Sequence, residues 1–398
     1  MLSSRVPRDY TPNPLAVLLE AKRAAGRAIL DLTGTNPTRA GLPTLDAETL
    51  AALSDRESAR YDPDPRGRIE ARRAIAAYYA TRCAGASAID PDRIFLTSST
   101  SEAYAHLFRL LCDPEDEIVV PRPSYPLLGP LAQIEHVRLR DYRLAYDRRW
   151  TLDLDSLEAA LGPRTRAVVV VEPNNPTGSR LAATERAAVE SICAERGIAV
   201  IADEVFGDFP WPPRTEPIPS WHNGPRALTF VLGGISKLCG LPQMKLGWIA
   251  ASGPEAELSE ALHGLEWIAD LFLSVGAPVQ VALPRFLEDR AAFHAAVRDR
   301  IGANLALLRT GPGAKARYTV LDGEGGWSAI LRFEPRGVGQ EGVAEWALRS
   351  HDVLLHPGHF YDLPREDDVV ISLLTEPATV KEAIARIHDG WGEIGAVG

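Results

Sequence analysis

Through the middle of the chain, short uninterrupted apolar runs alternate with segments of helical period. The runs are Ile94-Phe95-Leu96, Glu117 to Val120, Ala167 to Val171, Ile198 to Ala202, Leu228 to Leu232 and Trp248-Ile249-Ala250. A strand with one wet face alternates apolar and polar residues. These runs do not, so they predict strands covered on both faces. Between them the spacing predicts helices near Ser101 to Leu111, Asp155 to Leu161 and Thr184 to Arg196. That alternation predicts an α/β fold, with a mostly parallel sheet and helices on both sides. A long helical region follows from about Ala277 to Arg309, with a break expected near Pro284. Beyond it, strand patterns at Tyr318 to Leu321, Trp327 to Phe333 and Asp368 to Leu374 mix with helices near Gly339 to Ser350 and Ala378 to Asp389. This reads as a smaller α+β domain. The expected division is a large domain over 45–285, a small one over 286–398, and an arm and joining segment over 1–44. Pro7 to Pro14 cannot be regular helix or sheet throughout, so it is expected to lie as an arm on another surface.

Composition narrows the function classes. The 398 residues carry a formal charge of -10, and no Lys/Arg cluster offers a nucleic-acid footprint. No apolar run is long enough to span a bilayer. Met1 to Tyr10 lacks the apolar core of a signal peptide, which makes a cytoplasmic protein the expectation. Cys83, Cys112, Cys193 and Cys239 form no CxxC pair and are expected as free thiols, with no metal site.

Several motifs could carry chemistry, each with a plainer reading beside it. Lys237 follows an apolar strand in Gly233-Gly234-Ile235-Ser236-Lys237. A desolvated lysine can form a Schiff base, and a solvated loop lysine is the ordinary alternative. Asp203 ends the run Ile198 to Ala202, where open α/β sheets bind ligands. Asp203-Glu204 could also cap a helix or bind metal, although no histidine neighbours it. Asn174-Asn175-Pro176-Thr177-Gly178 is a turn that could aim an asparagine. Thr97 to Glu102 opens a helix with a Ser99/Glu102 capping box, and a helix N-terminus is equally a phosphate site.

The order of these motifs matters more than any one of them. A phosphate turn, Pro123-Ser124-Tyr125-Pro126, Asn-Pro-Thr-Gly, a strand-end Asp and a glycine-flanked Ser-Lys follow one another. In this the chain resembles the class I/II aminotransferases, the aspartate-aminotransferase-like members of pyridoxal-5′-phosphate (PLP) fold type I. The resemblance runs from about Asp31 to Ile387. It implies that Lys237 forms a Schiff base with PLP and moves the substrate proton. Asp203 would pair with the cofactor's pyridinium nitrogen, Asn175 would bond the ring oxygen, and Tyr125 would stack on the ring. Thr100, Ser101 and Ser236 would hold the phosphate. Tyr61, in Tyr61-Asp62-Pro63, would reach the phosphate of a neighbouring subunit, implying a homodimer with shared sites. The partners implied are an amine donor and a 2-oxo acid acceptor.

Three departures stand out. Lys245 occupies the place of an arginine that forks onto the phosphate, keeping the charge without the bidentate geometry. Phe206 stands where the family has a tyrosine, so one hydrogen bond to the ring oxygen is missing. Val370, in Val369-Val370-Ile371-Ser372, stands where the family places the arginine for the substrate carboxylate. Arg332 and Arg39 are the candidates to replace it, with His356 and His359 behind them. The expected activity is amino transfer; a lyase, cyclase, decarboxylase or oxidase reaction on the same scaffold is the alternative.

Overall fold

The computed structural model describes residues 3–43, 45–82, 88–214, 219–223, 225–311, 317–334 and 342–394. In chain order the strands are β1 (Leu30–Asp31), β2 (Ile94–Thr97), β3 (Glu117–Arg122), β4 (Arg138–Asp147), β5 (Arg149–Leu152), β6 (Thr165–Val171) and β7 (Ala199–Asp203). They continue as β8 (Thr229–Gly234), β9 (Gly247–Ser252), β10 (Tyr318–Val320), β11 (Ser328–Phe333), β12 (Val353–Leu354), β13 (His356–Pro357) and β14 (Asp368–Ser372). Eight of them form one sheet in the order β2-β9-β8-β7-β6-β3-β4-β5. The run β4-β3-β6-β7-β8 is parallel, and β9 lies antiparallel between β8 and β2. The continuous apolar runs are continuous because both faces are covered. Ile94, Val168, Val200 and Val231 face one buried cluster, and Phe95, Val169, Ile201 and Phe230 face the other.

The second sheet, β10-β11-β14-β13, is antiparallel throughout. Its core joins Val297 and Ile301 of helix Ala291–Thr310 to Ala329, Leu331, Val369 and Ile371. The early segment enters this unit: β1 pairs with β12, and Leu32 bonds both Leu354 and Ser372 through its backbone.

The expected break at Pro284 does not occur. Pro284 lies inside helix Ala277–Glu288, and the interruption falls at Asp289-Arg290, before helix Ala291–Thr310 begins. Proline leaves one carbonyl of the preceding turn without its N–H. Val279, Ala282, Leu283, Phe286 and Leu287 bury that helix's apolar face around it. The reading near Gly339 lies partly outside the described residues, where helix Gly342–His351 begins the described part. Residues 3–13 are largely exposed and carry no helix or strand before Asn13 caps helix Pro14–Ala24. Cys112, Cys193 and Cys239 are free thiols, and Cys83 lies outside the described residues.

Candidate active site

The site grows from the carboxyl ends of two adjacent parallel strands, β7 and β8. Asp203 closes β7, opposite Leu232 in the register. Its Oδ1 accepts from the Val205 N–H at 3.1 Å and its Oδ2 from the Tyr104 hydroxyl at 3.0 Å. Burial pushes the Asp203 carboxyl up to about 6, against the pull of those two donors. A strand's alternation sends the next residue the other way. Glu204 meets Arg82 at 2.8 Å, with both side chains 1% exposed, and accepts from Ser220 Oγ at 2.9 Å and the Trp221 N–H at 2.7 Å. The Asp-Glu pair therefore splits between the site and a buried brace. Among the described residues no cluster of His, Cys, Asp or Glu could hold a metal. Glu204→Ala is expected to cost up to about 3–5 kcal/mol by removing the nearer of the two carboxylates that face the buried Arg82 charge, leaving Asp208 at 3.8 Å. A double variant Arg82→Met/Glu204→Ala should recover part of that loss in denaturant midpoints.

β8 ends in Gly233-Gly234, and helix Ile235–Leu238 carries Ser236 and Lys237 straight off it. The two glycines serve the sheet. A Cβ on Gly233 would stand 2.5 Å from the Trp248 ring, and one on Gly234 would stand 3.2 Å from the Gly247 Cα. Lys237 is held among apolar and aromatic groups, its Nζ 5.3 Å from the Trp327 ring centroid and 5.8 Å from that of Phe206. Burial pushes its ammonium pKa down, and the Asp203 charge partly opposes that. A larger share of nucleophilic free amine follows.

Three other segments converge on the same strand ends. Ser99 caps helix Thr100–Leu111, its Oγ accepting from the Glu102 N–H at 3.2 Å, while Glu102 Oε2 accepts from the Ser98 N–H. The N–H groups of Thr100 and Ser101 are left without a partner among the described residues, as the first turn of a helix leaves them. The Gly247 backbone packs onto this turn, where a Cβ would come within 3.1 Å of Ser99. Asn175 leads the turn after β6, and its Oδ1 accepts from Ser328 Oγ at 3.0 Å. That contact ties the turn to β11 of the second sheet. Tyr125 is half exposed, with its ring 6.4 Å from Tyr361.

These residues fit PLP as a group. A buried carboxylate raised by desolvation suits a pyridinium partner, free helix N–H groups suit a phosphate, and a desolvated lysine suits an aldehyde.

The model of the family Aminotransferase class I and II matches residues 30–387. The chain belongs to that family. Its cofactor is pyridoxal 5′-phosphate, and its fold is fold type I. Among curated proteins the chain is 28% identical over 273 residues to a glutamate-pyruvate aminotransferase of Escherichia coli, covering 67% of this chain and 66% of that relative. It is 31% identical over 229 residues to an S-alkyl-thiohydroximate lyase of Arabidopsis thaliana, covering 56% of this chain and 48% of that one. Among solved structures it superimposes on an alanine aminotransferase from Pyrococcus furiosus with a TM-score of 0.85 at 22% identity, covering 99% of this chain and 100% of that one. The chain thus spans just under two thirds of the first curated relatives' length.

The remaining expected residues separate. Arg332 is not free to meet a substrate. Its Nε and one terminal nitrogen bond the two oxygens of Asp368 at 2.8 Å each, and Asp368 is fully buried. The two residues face each other across β11 and β14, so the pair closes on itself. The expectation that Arg332 binds substrate is set aside on that geometry. Arg39 is exposed on the 3₁₀ turn Pro37–Arg39, with no side-chain bond or ion pair among the described residues. Lys245 is exposed, at a left-handed φ of 55°. Phe206 is buried against Trp327, with centroids 5.4 Å apart. Tyr61 is 85% exposed. Sequence reading missed Tyr104, Trp327 and Ser328. Tyr104 had a signal, because it lies four residues after Thr100 on one helix face. Trp327 and Ser328 reach the site only through the packing of the second sheet.

Proposed function

We propose that the protein is an aminotransferase that moves an amino group from an amino acid or related amine to a 2-oxo acid. The observation that carries this reading is the desolvated Lys237 beside the buried Asp203 at the ends of β8 and β7. When bound, PLP supplies an aldehyde for the lysine and an electron sink for the substrate's Cα bond. Lys237 Nζ takes the proton from the substrate Cα and returns it on the cofactor side. Asp203, steadied by Tyr104, keeps the ring nitrogen protonated. Asn175, fixed by Ser328, orients the ring oxygen, and Phe206 leaves that oxygen one donor short. Tyr125 covers the ring face. Thr100 and Ser101 N–H groups, the Ser236 hydroxyl and Lys245 hold the phosphate. Arg39 supplies charge toward a substrate carboxylate.

The assembly belongs to this proposal as well: a cytoplasmic homodimer with shared sites, with a large domain over 45–285 and a small one over 286–398. Tyr61, Trp267, Leu271, Phe272 and Leu273 are large apolar side chains left exposed, which suits burial by a second copy. Tyr61 would then reach the other subunit's phosphate. No helix among the described residues is long and apolar enough to cross a membrane.

A second reading, a PLP lyase or a related reaction, draws support from Val370 in the arginine's place and from the likeness to a lyase. A donor screen of the cofactor-loaded enzyme separates the two. Amino transfer requires that donor alone shifts the cofactor's absorption band and that a 2-oxo acid returns it. Unaided return with product release supports the lyase.

A further inference from the structure

The second sheet turns one face to its own core; the other meets the site at Ser328, while Ile330 and Val370 on it are buried beside Tyr361. Ala329, Leu331, Val369 and Ile371 lie in that core. Alternation turns Ser328, Ile330 and Arg332, with Asp368, Val370 and Ser372, to the opposite face. Three cross-strand rows result: Ser328 with Ser372, Ile330 with Val370, and Arg332 with Asp368. The first row touches the site, because Ser328 bonds Asn175. The third row is a closed ion pair. The middle row is extended by one residue, since β13 places His356 directly opposite Val370. Directly opposed residues share a face, so the row reads Ile330, Val370, His356. The imidazole therefore stands beside the position left apolar by Val370, one row from the residue that holds Asn175.

The ring is fixed and half-buried. His356 Nδ1 meets the Tyr361 hydroxyl at 2.9 Å, and the Tyr361 ring lies beside Tyr125. Burial pushes the Tyr361 phenol up to about 12, so it keeps its proton. No other acceptor for that proton occurs among the described residues. With Nδ1 accepting, the neutral ring carries its own proton on Nε2. Nε2 has no partner among the described residues. Burial also pushes the His356 pKa down, opposed by the Asp31 charge, which keeps the ring uncharged at neutral pH.

We propose that His356, held by Tyr361, is a specificity-determining residue that donates one uncharged hydrogen bond from Nε2 to a substrate oxygen. This rests on the aminotransferase reading and names how its pocket reads a substrate. An arginine at position 370 would favour a carboxylate through two charged bonds. A neutral N–H donates to a carboxylate oxygen or an amide oxygen alike, leaving charge selection to Arg39.

The test uses the cofactor-loaded enzyme with propionate and propionamide, which lack an amine or keto group and cannot react. Their dissociation constants are measured by calorimetry or by competition. His356→Leu is expected to weaken both by similar factors, about tenfold. His356→Gln keeps an N–H donor and should restore both to within about threefold of the parent. Arg39→Ala should weaken propionate alone. The proposal is overturned if His356→Leu leaves both constants unchanged, if it weakens propionate alone, if His356→Gln fails to restore them, or if the parent binds neither probe. Thermal midpoints of the leucine and glutamine variants show whether both remain folded. Absence of amino transfer in the parent enzyme would remove the reaction assigned above while leaving these constants readable, so the two failures are distinct.

Discussion

Lys237→Ala is expected to lower kcat/KM for amino transfer by at least about 10³-fold, with the fold intact. The reasoning begins with placement. Lys237 sits on a short helix that starts directly from a buried strand, so its backbone cannot drift. Phe206 and Trp327 flank its Nζ and reduce its contact with water. Both features favour the free amine, and the nearby Asp203 charge limits how far the shift goes. Alanine removes the amine that condenses with the cofactor and the base that moves the proton, and neither flanking aromatic can replace it. Stability should change little or rise, since a desolvated ammonium is lost. Borohydride reduction of the cofactor-loaded parent, followed by peptide mapping, should label Lys237. A label elsewhere, or full activity in the alanine variant, removes the basis for the whole site.

Much of this arrangement was legible in the linear order of motifs, for a physical reason. In an open parallel sheet each strand delivers its carboxyl end to the same edge, so motifs that follow strands meet there. Asp203, Lys237, Asn175 and Thr100 each follow a strand, and a single pass along the chain finds them. Residues delivered by tertiary packing leave no such mark. Ser328 reaches Asn175 from 153 positions away, and Trp327 reaches Lys237 only because the second sheet docks over β7 and β8. Arg332 misled for the same reason: its partner Asp368 lies across a strand pair, 36 positions on. Among the elements, the hairpin of β4 and β5 went unread. Arg138-Leu139-Arg140-Asp141-Tyr142-Arg143 runs along the sheet's rim, where polar side chains interrupt the apolar run that marks a central strand. Pro284 misled because burial of the surrounding helix outweighs one lost backbone bond.

Asp203→Asn is expected to trade function for stability. In the protein without cofactor, the Asp203 carboxyl is raised from 3.8 to about 6, chiefly by burial. A carboxyl whose folded pKa lies above its unfolded value binds its proton more tightly when folded. Its contribution to stability therefore falls as pH rises from about 4 to about 6, and the cost is fully present above that window. Two pKa units correspond to about 3 kcal/mol at neutral pH. Asparagine cannot ionise; its oxygen can accept from the Val205 N–H while its amide N–H donates to the Tyr104 hydroxyl oxygen. The cofactor-free variant should accordingly melt higher than the parent at pH 7.5, and the two midpoints should converge near pH 4. Activity should move the opposite way. The carboxylate is the group that keeps the cofactor's ring nitrogen protonated, and a neutral amide removes that charge from a site that excludes water. A loss of about 10²–10³-fold in kcat follows, with a smaller change in KM, as for removal of one preorganised electrostatic partner. Thermal melts across pH 4 to 8, paired with steady-state kinetics, read both halves. A variant that is less stable at pH 7.5 but fully active would mean that the burial of Asp203 serves packing alone.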